Sequence, residues 1–288
     1  MPSAPPPLLA AALVPDTALI VPGVAGRGPG LADLRAAALD AVAAVLGDAP
    51  GARPTAVVVV APGAADRRRP APGRVTLAAA GVPDGALRWR LPDPGPAAVG
   101  TGAPDDVGVP AAVALLLLDQ VGWHGPTSVV EVARPGDAPV PRGRAAELAA
   151  IGAELVRTAG ATDGAPGAPG VALVVVGSLS ARHGPHGPLA DDDRAPAQDE
   201  AVVRGLTRGG PGASAALAAL PGDLAAELAV SGWGPWQVLL GAVAEAASGD
   251  EPFPGVETRV HRAEVAFGAQ HVVATLRLRP PAPPEDGR

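Results

Sequence analysis

Five histidines, His124, His183, His186, His261 and His271, are the only imidazoles in a 288-residue chain that contains no Cys, Lys, Asn or Tyr. His183 and His186 share a polar segment with Arg182, Asp191, Asp192, Asp193 and Arg194. Imidazole nitrogens beside carboxylate oxygens are a donor set for a divalent metal. Gly184, Pro185 and Gly187 interrupt the pair, so no helical turn brings both rings to one face, and a solvated polar loop is the simpler expectation. His261 and Glu264 lie in a run that alternates like a strand, where a spacing of three puts them on opposite faces. His124, between Trp123 and Gly125, reads as a loop residue at a helix end.

Other chemical patterns are incomplete. Gly26, Gly28 and Gly30 begin a dinucleotide fingerprint, but Leu31 takes the place of its last glycine. Ser214 sits in a loose nucleophile-elbow pattern with no strand before it and reads as a helix cap. Trp233 and Trp236 read as packing residues. Without Lys there is no Walker-type phosphate loop, Schiff base or Ser-Lys dyad. Without Cys there is no thiolate nucleophile, disulfide framework or zinc ribbon.

The formal charge of −7, with arginines scattered apart from Arg67, Arg68 and Arg69, argues against nucleic acid as a partner. That triplet lies between Gly- and Pro-containing segments and is expected to be a solvated loop. Gly (38) and Pro (36) are abundant, but 48% hydrophobic and 18% charged residues favour a core-forming chain over a disordered one. The first 14 residues lack a basic stretch ahead of their apolar run, and the run 109–118 is too short to span a membrane. A cytoplasmic, soluble protein with no membrane partner is expected.

These residues must be positioned by elements that the apolar pattern marks out. Buried strands are expected at 8–14, 55–61, 129–132 and 171–176, short strands at 75–77 and 87–91, and late strands at 256–266 and 272–278. Helical periodicity covers 31–46, ending at Gly47, then 110–118 and 144–158. Four more helices are expected around 200–206, 213–220, 224–230 and 236–246. Residues 159–170 read as a low-complexity linker. The alternation predicts a single three-layer α/β domain over 1–279, with a central mainly parallel sheet, helices on both faces and a helical subregion in the last third. Residues 280–288 read as a disordered tail. In such sheets ligands collect beyond the carboxyl ends of the strands. That rule singles out Asp16 and Thr17, then Pro62 and Gly63, then Ser178, Leu179 and Ser180.

The same loops, with later segments, resemble the catalytic B-type subunit of class III extradiol ring-cleavage dioxygenases. The resemblance runs from Ala11 to Leu276. It is carried by Leu13-Val14-Pro15-Asp16-Thr17 with Leu19 to Pro22, by Gly177-Ser178-Leu179-Ser180, by 224–230, by Pro235-Trp236-Gln237-Val238-Leu239, and by Phe267, Gly268 and 272–275. It implies Fe(II) or a related divalent ion held by two His and a third ligand, with open positions for a catecholate and dioxygen, and a further His as acid/base.

Position by position the chain departs from that pattern. The first His ligand corresponds to Asp16, and the second falls near Pro62 or Gly63, which offer no donor. The acid/base His corresponds to Ala181, with His183 two residues later. The third ligand falls near Trp236 or Gln237, with Glu264 as the alternative. The resemblance therefore implies a divergent dioxygenase-like protein with a degenerate metal site, binding a small molecule or partner in the inherited cleft. The alternative is an active Fe(II)-dependent extradiol dioxygenase acting on a catechol-type substrate. Its ligands would be Asp16, His186 and Glu264, with His183 catalytic, and a cleft lined by Thr17, Pro62, Gly63, Ser178, Ser180, Ala181, Trp236 and Gln237. A small aromatic molecule and a homo- or hetero-oligomer are the partners this reading admits. A third reading, a scaffold, needs Trp233 and Trp236 exposed.

Overall fold

Runs of Val, Leu and Ala too short and too apolar for an amphipathic helix become the central strands of a seven-stranded sheet. The computed structural model describes residues 8–26, 30–47, 53–92, 106–136, 139–162, 170–185, 187–248 and 255–278. In chain order the elements are β1 (Leu8–Val14), α1 (Ala32–Leu46), β2 (Ala56–Gly63), β3 (Arg67–Arg69), α2 (Val109–Gln120), β4 (Thr127–Ala133), α3 (Arg144–Thr162) and β5 (Val171–Val176). Then come α4 (Ala195–Arg208), α5 (Pro211–Ala218), α6 (Gly222–Glu227), α7 (Trp233–Ala246), β6 (Val256–Ala266) and β7 (Ala269–Leu278).

The strand order is β3-β4-β2-β5-β1-β7-β6. The four strands β4, β2, β5 and β1 run parallel, while β3, β7 and β6 pair antiparallel at the flanks. Alternation splits each central strand between two cores. Val171, Leu173 and Val175 of β5 face the side covered by α3, α4, α5 and α7. Ala172, Val174 and Val176 face the side covered by α1 and α2. The structure is thus the three-layer α/β domain with a largely parallel sheet centre and a helical subregion, α4 to α7, in the last third.

Helices α3 and α7 cross at backbone distance. A Cβ added at Gly152 would lie 1.8 Å from the Val238 carbonyl oxygen, and one at Gly241 would lie 1.9 Å from that of Ala149. Only hydrogen at these two positions permits the approach. The β6–β7 hairpin closes on Phe267 and Gly268, both with positive φ (52° and 80°), as a two-residue mirror-image turn requires. Among the described residues no helix is long and apolar enough to cross a membrane.

Four local expectations are corrected. Arg67, Arg68 and Arg69 form β3, an edge strand on β4, and Arg69 is buried against Glu131 at 3.5 Å. The flanking Gly and Pro residues end the strand instead of dissolving it. No strand forms at 75–77 or 87–91, because β3 already occupies that sheet edge; Val75 and Leu77 are buried beside 3₁₀ turns at Ala78–Ala80 and Asp84–Ala86. Ser214 lies inside α5, whose N-cap is Gly210, so it caps nothing. Of the linker expected at 159–170, residues 159–162 belong to α3, and 163–169 and the tail lie outside the described residues.

Candidate functional site

The parallel strands deliver four loops to one end of the sheet. Chain leaving β1 turns toward the α1 face and chain leaving β5 toward the opposite face, so the two strand ends form a switch point of the sheet. Asp16 and Ser178 meet there. Ser178 Oγ donates to Asp16 Oδ1 at 2.6 Å and lies 2.8 Å from Nδ1 of His271 on β7. A hydroxyl carries one proton; with that proton on the carboxylate, Oγ accepts from Nδ1–H of the ring. Ser178 and His271 are each 4% exposed. Burial pushes the His271 imidazole below its ordinary pKa, against the smaller opposing effects of Asp16, Glu264 and the Ala266 carbonyl. Ser178 is itself fixed, because its N–H donates to Ser231 Oγ at 2.9 Å and its carbonyl accepts from Gly232 N at 3.0 Å.

The other oxygen of Asp16 faces Arg134, whose Nη2 lies 3.5 Å from Oδ2. Arg134 follows β4 and helps to line a cavity of about 600 Å³ at the ends of β2 and β4. Its charged wall also holds Asp66, Arg144 and Glu147, and its apolar wall is made by Pro135, Pro139, Val140, Pro141 and Trp233. Asp66 accepts from Arg144 Nη2 at 2.6 Å and from Ala133 N at 2.7 Å. The Arg144 guanidinium holds the Asp66 carboxyl below the usual carboxylate range. Arg144 is also 3.4 Å from Glu147. Trp233 donates its indole N–H to the Leu220 carbonyl at 3.0 Å, which fixes the ring that walls the cavity. Arg144 is thus committed, whereas the one ion pair of Arg134 among the described residues is long.

The other residues expected at the cleft take different positions. Pro62 and Gly63 are the last residues of β2 and pair with β4, so the wall is made by Ala64, Ala65 and Asp66 just beyond them. Thr17 is turned to Leu19 N, and Ser180, fully buried, donates to the Leu228 carbonyl. Ala181 N donates to the same carbonyl. Trp236 and Gln237 are buried within α7, and Trp233, one turn earlier, takes the cavity position. Both Trp233 and Trp236 are buried, at 3% and 1% exposure, which removes the basis of the scaffold reading.

Among the described residues the expected metal ligands do not assemble either. His183 Nε2 lies 2.6 Å from Asp199 Oδ2 on α4, and Asp199 Oδ1 accepts from Ser180 N. Burial raises the Asp199 pKa, against the lowering effect of His183. Glu264 pairs with Arg262, which also reaches Asp33 on α1. A register shift between Val260 and Arg262 breaks the alternation on which opposite faces for His261 and Glu264 depend. His186 lies outside the described residues. Among the described residues no group of three or more His, Asp or Glu could hold a metal ion. At the positions that the resemblance assigns to ligands, Asp16 is engaged by Ser178 and Arg134, and Gly63 has no donor, so this set does not fit a His-His-carboxylate iron centre.

His271, Arg134, Asp66 and Arg144 were not singled out by pattern. One signal existed for His271: it is a titratable residue in an otherwise strand-forming run, 270–278, where burial forces it to find a partner. No protein-family model matches the chain, and no curated protein sequence matches it.

Proposed function

We propose that this chain is a divergent extradiol-dioxygenase-like protein that binds a small aromatic carboxylate and does not carry out the family's iron-dependent ring cleavage. The observation that supports this reading is the cavity of about 600 Å³ beyond β2 and β4, with Arg134 on one wall and prolines and Trp233 on another. Its volume is in the range of small-molecule sites, which combine apolar walls with a few polar anchors. A guanidinium is planar and matches a carboxylate with two parallel hydrogen bonds, and the apolar wall suits a ring. Arg134 is the anchor because Arg144 is already closed on Asp66.

Calorimetric titration with benzoate tests the proposal, with benzyl alcohol as the uncharged ring. Benzoate is expected to bind, and Arg134→Ala to weaken it by about tenfold or more, the loss of a charge-assisted pair. Absence of benzoate binding to the wild-type chain, or equal binding to Arg134→Ala, overturns it.

A further inference from the structure

Asp16 stands at a fork. One carboxylate oxygen is held at 2.6 Å by the Ser178 hydroxyl, while the other stays 3.5 Å from Arg134, beyond the 2.7–2.9 Å of a closed charge-assisted hydrogen bond. The tether is the rigid side of the fork. Ser178 is held by Ser231 and Gly232 through its backbone and by His271 through its hydroxyl. Arg134 is the adaptable side: its side chain is 49% exposed and reaches the cavity. The other charges of the wall are occupied, Arg144 by Asp66 and by the more distant Glu147.

We infer that Asp16 is a built-in carboxylate competitor for Arg134, and that Ser178 is a positioning residue that restrains it and so sets how available Arg134 is to an anionic ligand. This rests on the cavity being a carboxylate site. A ligand carboxylate that reaches Arg134 replaces Asp16, whose charge remains hydrogen-bonded to Ser178. The two restraints then have opposite effects. Removing the Asp16 charge frees Arg134. Removing the Ser178 hydroxyl lets Asp16 close on Arg134 and block it. A merely structural role for both residues would weaken binding in both variants.

The experiment is calorimetric titration of the full chain with benzoate and, separately, benzyl alcohol, for the wild type and for Asp16→Asn, Ser178→Ala and Arg134→Ala. Asp16→Asn is expected to tighten benzoate by about two- to fivefold, the range of a partly exposed ion pair, and Ser178→Ala to weaken it by about twofold. Benzyl alcohol is expected to respond to neither. Asp16→Ala and Ser178→Cys replace a variant that loses its cooperative thermal transition. Unchanged or weaker benzoate binding by Asp16→Asn, with Arg134→Ala still defective, overturns the competition and leaves the binding site intact. Failure of the wild type to bind benzoate overturns both.

Discussion

Ser178 joins Asp16 to His271 through a single hydroxyl, although the three residues come from the end of β1, the end of β5 and the third position of β7. Deleting that oxygen leaves a carboxylate oxygen and a buried ring nitrogen without their partner. Ser178→Ala is therefore expected to lower stability by about 2 kcal/mol, the usual cost of orphaning buried polar groups. A urea titration reads this as a lower midpoint at constant slope; a shift equivalent to less than about 0.5 kcal/mol would remove the bridge from any account of stability.

The arginine triplet separates buried from exposed ion pairs. Arg69 and Glu131 are 9% and 6% exposed, and Glu131 also accepts from Gly108 N at 2.8 Å. Arg69→Ala leaves that carboxylate without its cation and is expected to cost about 3–5 kcal/mol. Arg68 pairs with Glu154 at 43% and 53% exposure, so Arg68→Ala is expected to cost no more than about 1 kcal/mol. Comparable losses in the two variants would contradict the burial argument.

Acid sensitivity follows from His271. Its pKa is depressed from 6.5 in the folded chain, so the unfolded chain binds more protons as pH falls below that value. The stabilising contribution is present above pH 6.5 and is lost as pH drops through the folded value. Asp199 works in the opposite direction, its raised pKa favouring the folded chain at low pH and losing that effect as pH rises above 3.8. Thermal midpoints of wild type and His271→Gln, compared at each pH from 7 to 5, are expected to fall more steeply for the wild type. Parallel curves would show that His271 does not titrate differently in the two states.

The α3–α7 crossing leaves no room for a methyl group. Gly152→Ala and Gly241→Ala each place a Cβ within 2 Å of a carbonyl oxygen of the other helix. Each is expected to destabilise by about 1–3 kcal/mol or more, as overpacking does. Helix propensity alone would make both substitutions favourable by about 1 kcal/mol, so the sign of the change decides between local and tertiary control.

Iron content tests the proposed loss of ring-cleavage chemistry separately. Protein purified without oxygen from iron-supplemented medium is expected to retain far less than stoichiometric iron by mass spectrometry. Stoichiometric iron that disappears in an Asp16→Ala, His183→Ala double variant would favour the active dioxygenase reading instead.

Much of the fold was legible because it is coded locally. A run such as Val171–Val176 is six residues long, apolar at every position and rich in valine, which suits a strand covered on both faces, and Gly47 ends α1 where periodicity stops. The ends of the parallel strands were legible too, which is how Asp16 and Ser178 were singled out. The cavity was less so: Trp236 and Gln237 carry the resemblance, but helix phase gives the cavity wall to Trp233. At Arg67–Arg69, charge suggested a loop, whereas pairing with β4 makes an edge strand and buries Arg69.

What the sequence by itself determined is the succession of strands and helices and the absence of lysine and cysteine chemistry, since both follow from residue types and short spacings. Only the tertiary structure decided which polar groups share a site. Asp16 and Ser178 are 162 residues apart, and Ser178 and His271 are 93 apart. They meet because β5 lies beside β1 and β7 on its other side, an order set by how the crossing helices pack on the two sheet faces. No local periodicity encodes that order, because strand adjacency is a property of the whole packed sheet.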